Sequence, residues 1–287
     1  MNAALAATAC ASLLGAQAAA IVPISTSGFA VHRAVLDDGR SIVVKLHIAR
    51  PGRADKEKQS LTCLAAHTDV RAPRIVASGR VPGADAEALI LADLGTANLG
   101  QLHAAGHCSR EAVLRAIGAL LPRIHRLPLD CGPGNPRRSR PRVPIEELSA
   151  RCPDSRRHIA DAILRRAAEM LTQSPPNAWC HGDLHPANIV PIGRALDAAS
   201  LHVVDLEQFS CSIPEYDVAQ SLVTSDALDS RGRNALLSGY PAPLDGELLT
   251  ALTAYQALRG WAYAATRERR DVALWTRRVE LALQPFE

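Results

Sequence analysis

The stretch Trp179-Cys180-His181-Gly182-Asp183-Leu184-His185-Pro186-Ala187-Asn188-Ile189-Val190 decides the reading of this chain, together with Leu201-His202-Val203-Val204-Asp205-Leu206-Glu207 downstream of it. Gly182 and Pro186 punctuate the backbone and favour a fixed loop over a helix, with a carboxylate at Asp183 and an amide at Asn188 held five positions apart. The apolar run Ile189–Ile192 and the run Leu201–Val204 flank turn-like residues and read as a β-hairpin whose open end brings Asn188 beside Asp205. Three oxygen-bearing side chains at one point suit a hard cation such as Mg²⁺, which takes few protein oxygens and shares its remaining shell with phosphates and water. The chemistry implied is phosphoryl transfer.

His181 and His185 also stand four apart, the spacing of a helical zinc pair. Gly182 and Pro186 make a helix there improbable, so loop-bracing hydrogen bonds are the preferred role for both imidazoles.

The pattern His181-Gly182-Asp183-x-His185-x-x-Asn188, followed by a strand ending in Asp205, resembles the catalytic and metal-binding loops of the aminoglycoside phosphotransferase and choline kinase-like family, relatives of protein kinases. The resemblance implies an α+β, bilobal protein-kinase-like fold. Residues 1–92 would form a nucleotide-binding lobe with a small antiparallel sheet and one helix, 93–97 a hinge, and 98–287 a larger, mainly helical lobe carrying the catalytic loop and the acceptor site. It further implies Asp183 as the catalytic base, Asn188 and Asp205 as Mg²⁺ ligands, and ATP or GTP as phosphate donor.

The first lobe follows that plan. Uncharged Asn2–Ala19 reads as a helix, and the absence of Lys or Arg ahead of it argues against a secretory leader. Strands are expected at Ile21–Ile24, Phe29–Leu36 and Ser41–His47, the last two joined by the hairpin signal Asp37-Asp38-Gly39. Ser25 to Gly28 occupies the place where such folds cover nucleotide phosphates, and Ser27 is the candidate contact; a plain β-turn fits equally well. The chain's only lysines are Lys45, Lys56 and Lys58, so a lysine inside the apolar run Ile42–Leu46 is unlike its interchangeable surface cations. Lys45 resembles the family's phosphate-binding lysine. Glu57, on a helix that Asp55 can cap, is its expected ion-pair partner. Short strands at Pro73–Ala77 and Ala88–Leu91 complete the lobe, and Asp93 and Leu94 fall in the hinge that would meet the nucleotide base.

In the second lobe, Val113, Leu114, Ile117, Leu120, Leu121 and Ile124 form the apolar stripe of a long helix interrupted by Pro122. Pro128–Pro144 reads as a loop around the basic run Arg137–Arg142, followed by a helix from Asp154 to Leu171. Without interleaved aromatics that run is a solvated face, and the formal charge of +3 is too mild to call for nucleic acid or membrane. Seven scattered cysteines, none in a C-x-x-C pair, read as reduced thiols of a cytoplasmic protein. The dozen residues from Asp205 to Asp217 leave no room for a peptide platform, so the acceptor is expected to be small and hydroxylated. Helices at about 214–228, 231–238, 245–269 and 271–283 would wall it. Glu207, Asp226, Asp229, Trp261 and Glu268 are the candidate contacts for a cationic acceptor, an aminoglycoside or basic peptide antibiotic first, and choline, homoserine, a sugar or a glycated amine second. A catalytically inert nucleotide-binding protein is the third alternative.

Overall fold

The computed structural model describes residues 2–25, 30–49, 52–67, 69–95, 97–132, 148, 157–193, 195–266 and 271–286. After helix α1 (Asn2–Leu14), strands β1 (Ala18–Ser25), β2 (Ala30–Leu36), β3 (Ser41–Ile48), β4 (Ile75–Arg80) and β5 (Ala86–Ala92) build an antiparallel sheet in the order β1-β2-β3-β5-β4. β2 buries every second residue, as a strand covered on one face must. α1 supplies that cover with Ala6, Ala9 and Cys10, which join Ala34, Leu36, Val44 and Ile90 in a small core of their own. The helix stops short of the expected Ala19. Gly15 takes a left-handed φ of 65°, and Ala18 to Ile21 pair with β2 instead, strand hydrogen bonding overriding the helix preference of alanine.

β3 is different, because its middle is buried on both faces. Lys45 lies in that run, opposite Val31 on one side and Leu89 on the other. Helix α2 (Arg53–Ala65) follows, but Asp55 does not cap it: the cap position is Gly52 in a left-handed conformation, and Asp55 sits in the first turn, where its charge suits the helix dipole. The inner face of α2, Leu61 and Leu64, belongs to the large core of the second lobe. This helix therefore packs against the second lobe as well as against the sheet.

That core is built on α3 (Leu99–Ala104), α4 (Arg110–His125), α5 (Arg157–Gln173), α6 (Pro214–Thr224), α7 (Ser230–Ser238), α8 (Gly246–Thr266) and α9 (Val272–Leu283). All six stripe residues expected on α4 are buried, and the helix runs through Pro122. Gly118 lets α4 approach the end of α7 closely; a Cβ there would stand 2.0 Å from the Leu236 carbonyl oxygen. Two short sheets frame the site: β7 (Ile189–Pro191) with β8 (Leu201–Val203), the expected hairpin, and β6 (Ala178–Cys180) with β9 (Ser210–Ser212), which three-residue strands leave invisible to periodicity. The basic run Arg137–Arg142 and the predicted helix start at Asp154 lie outside the described residues.

The thiols correct one expectation. Cys63 on α2 and Cys131 beyond α4 form a disulfide across 68 residues, while Cys10, Cys108 and Cys180 are free. Packing of α2 on the second lobe creates that pair, and sequence spacing carries no trace of it. No helix among the described residues is long and apolar enough to cross a membrane.

Candidate active site

The loop from His181 to Asn188 is fixed from beneath. Asp217, fully buried in the first turn of α6, accepts hydrogen bonds from the backbone N–H groups of His181 and Gly182, both at 2.8 Å, and pairs with His125 Nε2 at 3.2 Å. Burial works against its charge, but the His125 contact and those amides outweigh it and hold its pKa below the usual carboxylate range. Gly182 has a φ of 77°, and a Cβ there would meet the Gln208 carbonyl at 2.8 Å, so both conformation and space demand glycine. His185 caps the short 3₁₀ turn Pro186–Asn188 by accepting from Ala187 N. His181 Nε2 lies 3.1 Å from the Val204 carbonyl oxygen, which ties the loop to the strand before Asp205. The two imidazoles thus brace the loop in different directions and share no ligand position.

Asn188 donates its Nδ2 to the backbone oxygen of Asp183 at 2.9 Å, which turns its amide oxygen away from that contact. Val204 N bonds the Asn188 carbonyl, and Ile189 pairs with Val203, so the hairpin sets Asn188 beside Asp205. Asp205 holds a left-handed φ of 64°, unusual for a residue with a side chain.

Across the cleft, Lys45 Nζ reaches Asp205 Oδ1 at 2.6 Å, Glu57 Oε2 at 2.9 Å and Glu207 Oε1 at 2.7 Å. Burial disfavours the ammonium, but these three carboxylates together outweigh it and raise the Lys45 pKa above the usual lysine range. Burial likewise pushes Asp205 up, and Lys45 reverses the effect, leaving its pKa lowered. At Glu207 burial prevails over Lys45, and the pKa is raised. His47 Nε2 stands 3.5 Å from Glu57 behind this cluster.

A cleft of about 480 Å³ joins these groups; Lys45, Glu57, Asp183, Asn188 and Asp205 all line it, as do Asp93 and Leu94 at the far end. Asp93 is engaged by Arg33, through Nε at 2.6 Å and Nη2 at 3.1 Å, and by Ser41 Oγ at 2.6 Å. Arg33 also binds the Gly95 carbonyl and lines the cleft; no sequence signal pointed to it, because it pairs with a residue 60 positions away. Gln220 is the other unforeseen neighbour, with Nε2 3.5 Å from Asp183 Oδ1. Its position three after Asp217 on one helix was the available clue.

The candidate acceptor contacts do not converge. Glu207 is buried on Lys45. Asp226 pairs with Arg278 at 3.5 Å, and Asp229 caps α7 while binding Arg110. Trp261 donates its indole N–H to Thr276 Oγ1 at 3.1 Å. Ser27 and Glu268 lie outside the described residues.

A five-stranded antiparallel lobe over a helical one, with a lysine and an aspartate meeting across the cleft between them, is the protein-kinase-like class of phosphotransferase fold. Residues 23–268 match the family model described as the phosphotransferase enzyme family, and the chain belongs to that family. No curated protein sequence matches it. Among solved structures, an aminoglycoside 2'-phosphotransferase-IIIa in complex with GDP is similar with a TM-score of 0.67 and 13% identity, covering 96% of both chains. The amicoumacin kinase hAmiN, in complex with AMP-PNP, Ca²⁺ and Ami, gives 0.65 and 13%, covering 91% of this chain and 87% of its own. Choline kinase LicA from Streptococcus pneumoniae gives 0.65 and 15%, covering 93% of this chain and 92% of its own.

Proposed function

We propose that the chain transfers the γ-phosphate of a nucleoside triphosphate, ATP or GTP, to a hydroxyl of a small acceptor. The observation that carries the reading is the 2.6 Å contact of Lys45 with Asp205, two residues 160 positions apart that meet in the cleft also lined by Asp183 and Asn188. In this reading Lys45 binds the phosphates, and Glu57 keeps its ammonium aimed at them. Asp93 and Leu94, which line the cleft, border the base. Asn188 and Asp205 would hold Mg²⁺, for which an amide oxygen and a carboxylate are a suitable hard donor set. Bound there, the ion would neutralise charge on the phosphoryl oxygens.

Asp183 orients the acceptor alcohol and takes its proton. The alcohol oxygen forms the new P–O bond, the bond between the γ-phosphorus and its bridging oxygen breaks, and nucleoside diphosphate leaves. Charge at Asp183 is needed for this, and its partly open position leaves the carboxylate accessible to an alcohol.

For the acceptor, a cationic antibiotic is the first reading, supported by the likeness to the aminoglycoside and amicoumacin enzymes. A metabolic alcohol such as choline is the second, favoured by the likeness to a choline kinase. The test is Mg²⁺-dependent nucleotide turnover with a panel of aminoglycosides, basic peptide antibiotics, choline and homoserine, comparing wild type with Asp183→Ala. Turnover of one acceptor that falls on the order of a thousandfold in the variant is expected. Equal rates for the two proteins with every acceptor would refute transferase activity, and antibiotic susceptibility of a sensitive host separates the two acceptor readings.

A further inference from the structure

Helix α6 addresses the catalytic loop at three consecutive levels. Asp217 takes the backbone N–H groups of His181 and Gly182, and Ser221 Oγ donates to the Leu184 carbonyl at 2.8 Å. Between them Gln220, almost wholly buried, reaches the Asp183 side chain itself. The first and third contacts set the loop backbone. The second acts on the carboxylate.

A glutamine amide can face a neighbour with either its oxygen or its nitrogen, and what lies on its other side decides which. Here that neighbour is Arg259 of α8, whose Nη2 donates to Gln220 Oε1 at 3.0 Å. A guanidinium can only donate, so the amide oxygen must point to Arg259 and the NH₂ must point to Asp183. Arg259 is itself held, its Nη1 donating to the Tyr216 hydroxyl at 2.7 Å. With the amide reversed, its oxygen would oppose the carboxylate and its NH₂ would oppose the guanidinium, two repulsions in place of two hydrogen bonds.

We infer that Gln220, oriented by Arg259, is a positioning residue for Asp183: it occupies Oδ1 as a hydrogen-bond donor and leaves Oδ2 to receive the acceptor's proton. This rests on the phosphoryl-transfer reading above. Asp183 can rotate about two side-chain bonds, and a carboxylate turned away from the alcohol is no base. His185, 3.8 Å from Oδ2, is too far to hold the other oxygen. The Arg259–Gln220 pair therefore selects the rotamer, working through a neutral amide that does not neutralise the base.

The experiment uses the full chain with MgATP and the fastest acceptor from the panel, measuring kcat, both KM values and the thermal midpoint. Gln220→Leu keeps the volume and removes the donor; kcat is expected to fall about tenfold or more, with the nucleotide KM within about twofold of wild type. Gln220→Glu keeps shape and the pairing with Arg259 but turns a second carboxylate on Asp183. It is expected to be at least as slow as Gln220→Leu with an undiminished thermal midpoint, a combination that a space-filling role would not produce. Arg259→Met should slow the enzyme alone and add nothing in the Gln220→Leu background, the signature of one chain of contacts. Gln220→Glu with wild-type kcat, or independent multiplication of the Gln220→Leu and Arg259→Met effects, overturns the inference, and the Glu variant decides if the Leu variant fails to fold. Asp183→Ala is run alongside: turnover that does not depend on Asp183 sinks the transferase reading and this inference with it, whereas Asp183-dependent turnover with fast Gln220 variants sinks the inference alone.

Discussion

The two ends of the cleft are held in opposite ways. At the Lys45 end, one buried cation faces three carboxylates drawn from α2 and from the segment after β8, so the arrangement depends on long-range ion pairing and carries surplus negative charge. At the Asp183 end, a single carboxylate sits on a loop pinned by backbone hydrogen bonds and touched by a neutral amide. In the proposed reading the first end is adjustable, since an incoming phosphate would replace Asp205 or Glu207 as partner of the ammonium. The second is held in place, as the proposed base would require in order to meet one hydroxyl.

Removing the cation should break the contrast hardest. Lys45→Met would leave Glu57, Asp205 and Glu207 crowded without the cation they share, and stripping one partner from a buried ion cluster costs about 3 kcal/mol or more. Loss of that stability by chemical denaturation, together with lost nucleotide affinity by calorimetry, is the expected result. A variant as stable as wild type would mean that the three acids simply take up protons.

This difference also governs what could be read from the letters. The loop geometry at the Asp183 end was legible because it is written in one local run, with Gly182, Pro186 and Asn188 at fixed offsets and Asp217 a short way on. Glu57 could be paired with Lys45 only through the resemblance to a family plan. Glu207 was read as an acceptor contact because nothing local distinguishes an acid aimed at solvent from one aimed at a buried lysine 162 positions earlier, as 207 − 45 gives. Arg33 and the Cys63–Cys131 pair were silent for the same reason, each depending on a partner brought near by topology, and Gln220 offered only its offset from Asp217. The acceptor wall is the extreme case, with Asp226 and Asp229 already bound to arginines.

A smaller effect probes the Asp183 end alone. The Asp217 carboxylate serves two loop amides through separate oxygens, Oδ2 for His181 and Oδ1 for Gly182, and Asp217→Asn would turn an NH₂ toward one of them. A loss of about 2 kcal/mol near neutral pH is expected. The sign of its pH dependence follows from the lowered folded pKa. The native state then holds fewer protons on this group than the unfolded chain, so its contribution is complete above the ordinary aspartate pKa of about 3.9 and fades as pH falls through the folded value. Stability curves of wild type and variant should therefore converge in acid; a gap that persists to low pH would show that shape, not charge, is what Asp217 provides.

The smallest expected effect sits where the two ends adjoin. Asn98 caps α3 by accepting from Gln101 N at 2.9 Å, and the Gln101 side-chain oxygen Oε1 accepts in return from Asn98 N at 3.0 Å. That helix leans on the 3₁₀ turn of the catalytic loop, where Gly100 comes close to Pro186 and Ala187. Asn98→Ala removes one half of the reciprocal cap, for about 1 kcal/mol and a midpoint lowered by roughly 2–4 °C. Because α3 supports the loop from the side and Asp217 holds it from below, kcat should change by less than about twofold while the nucleotide KM, read at a cleft lined by Asn98 and Gln101 themselves, rises. A fall in kcat with an unchanged nucleotide KM would instead make the cap a support of Asp183, and that end would then depend on α3 as well as on α6.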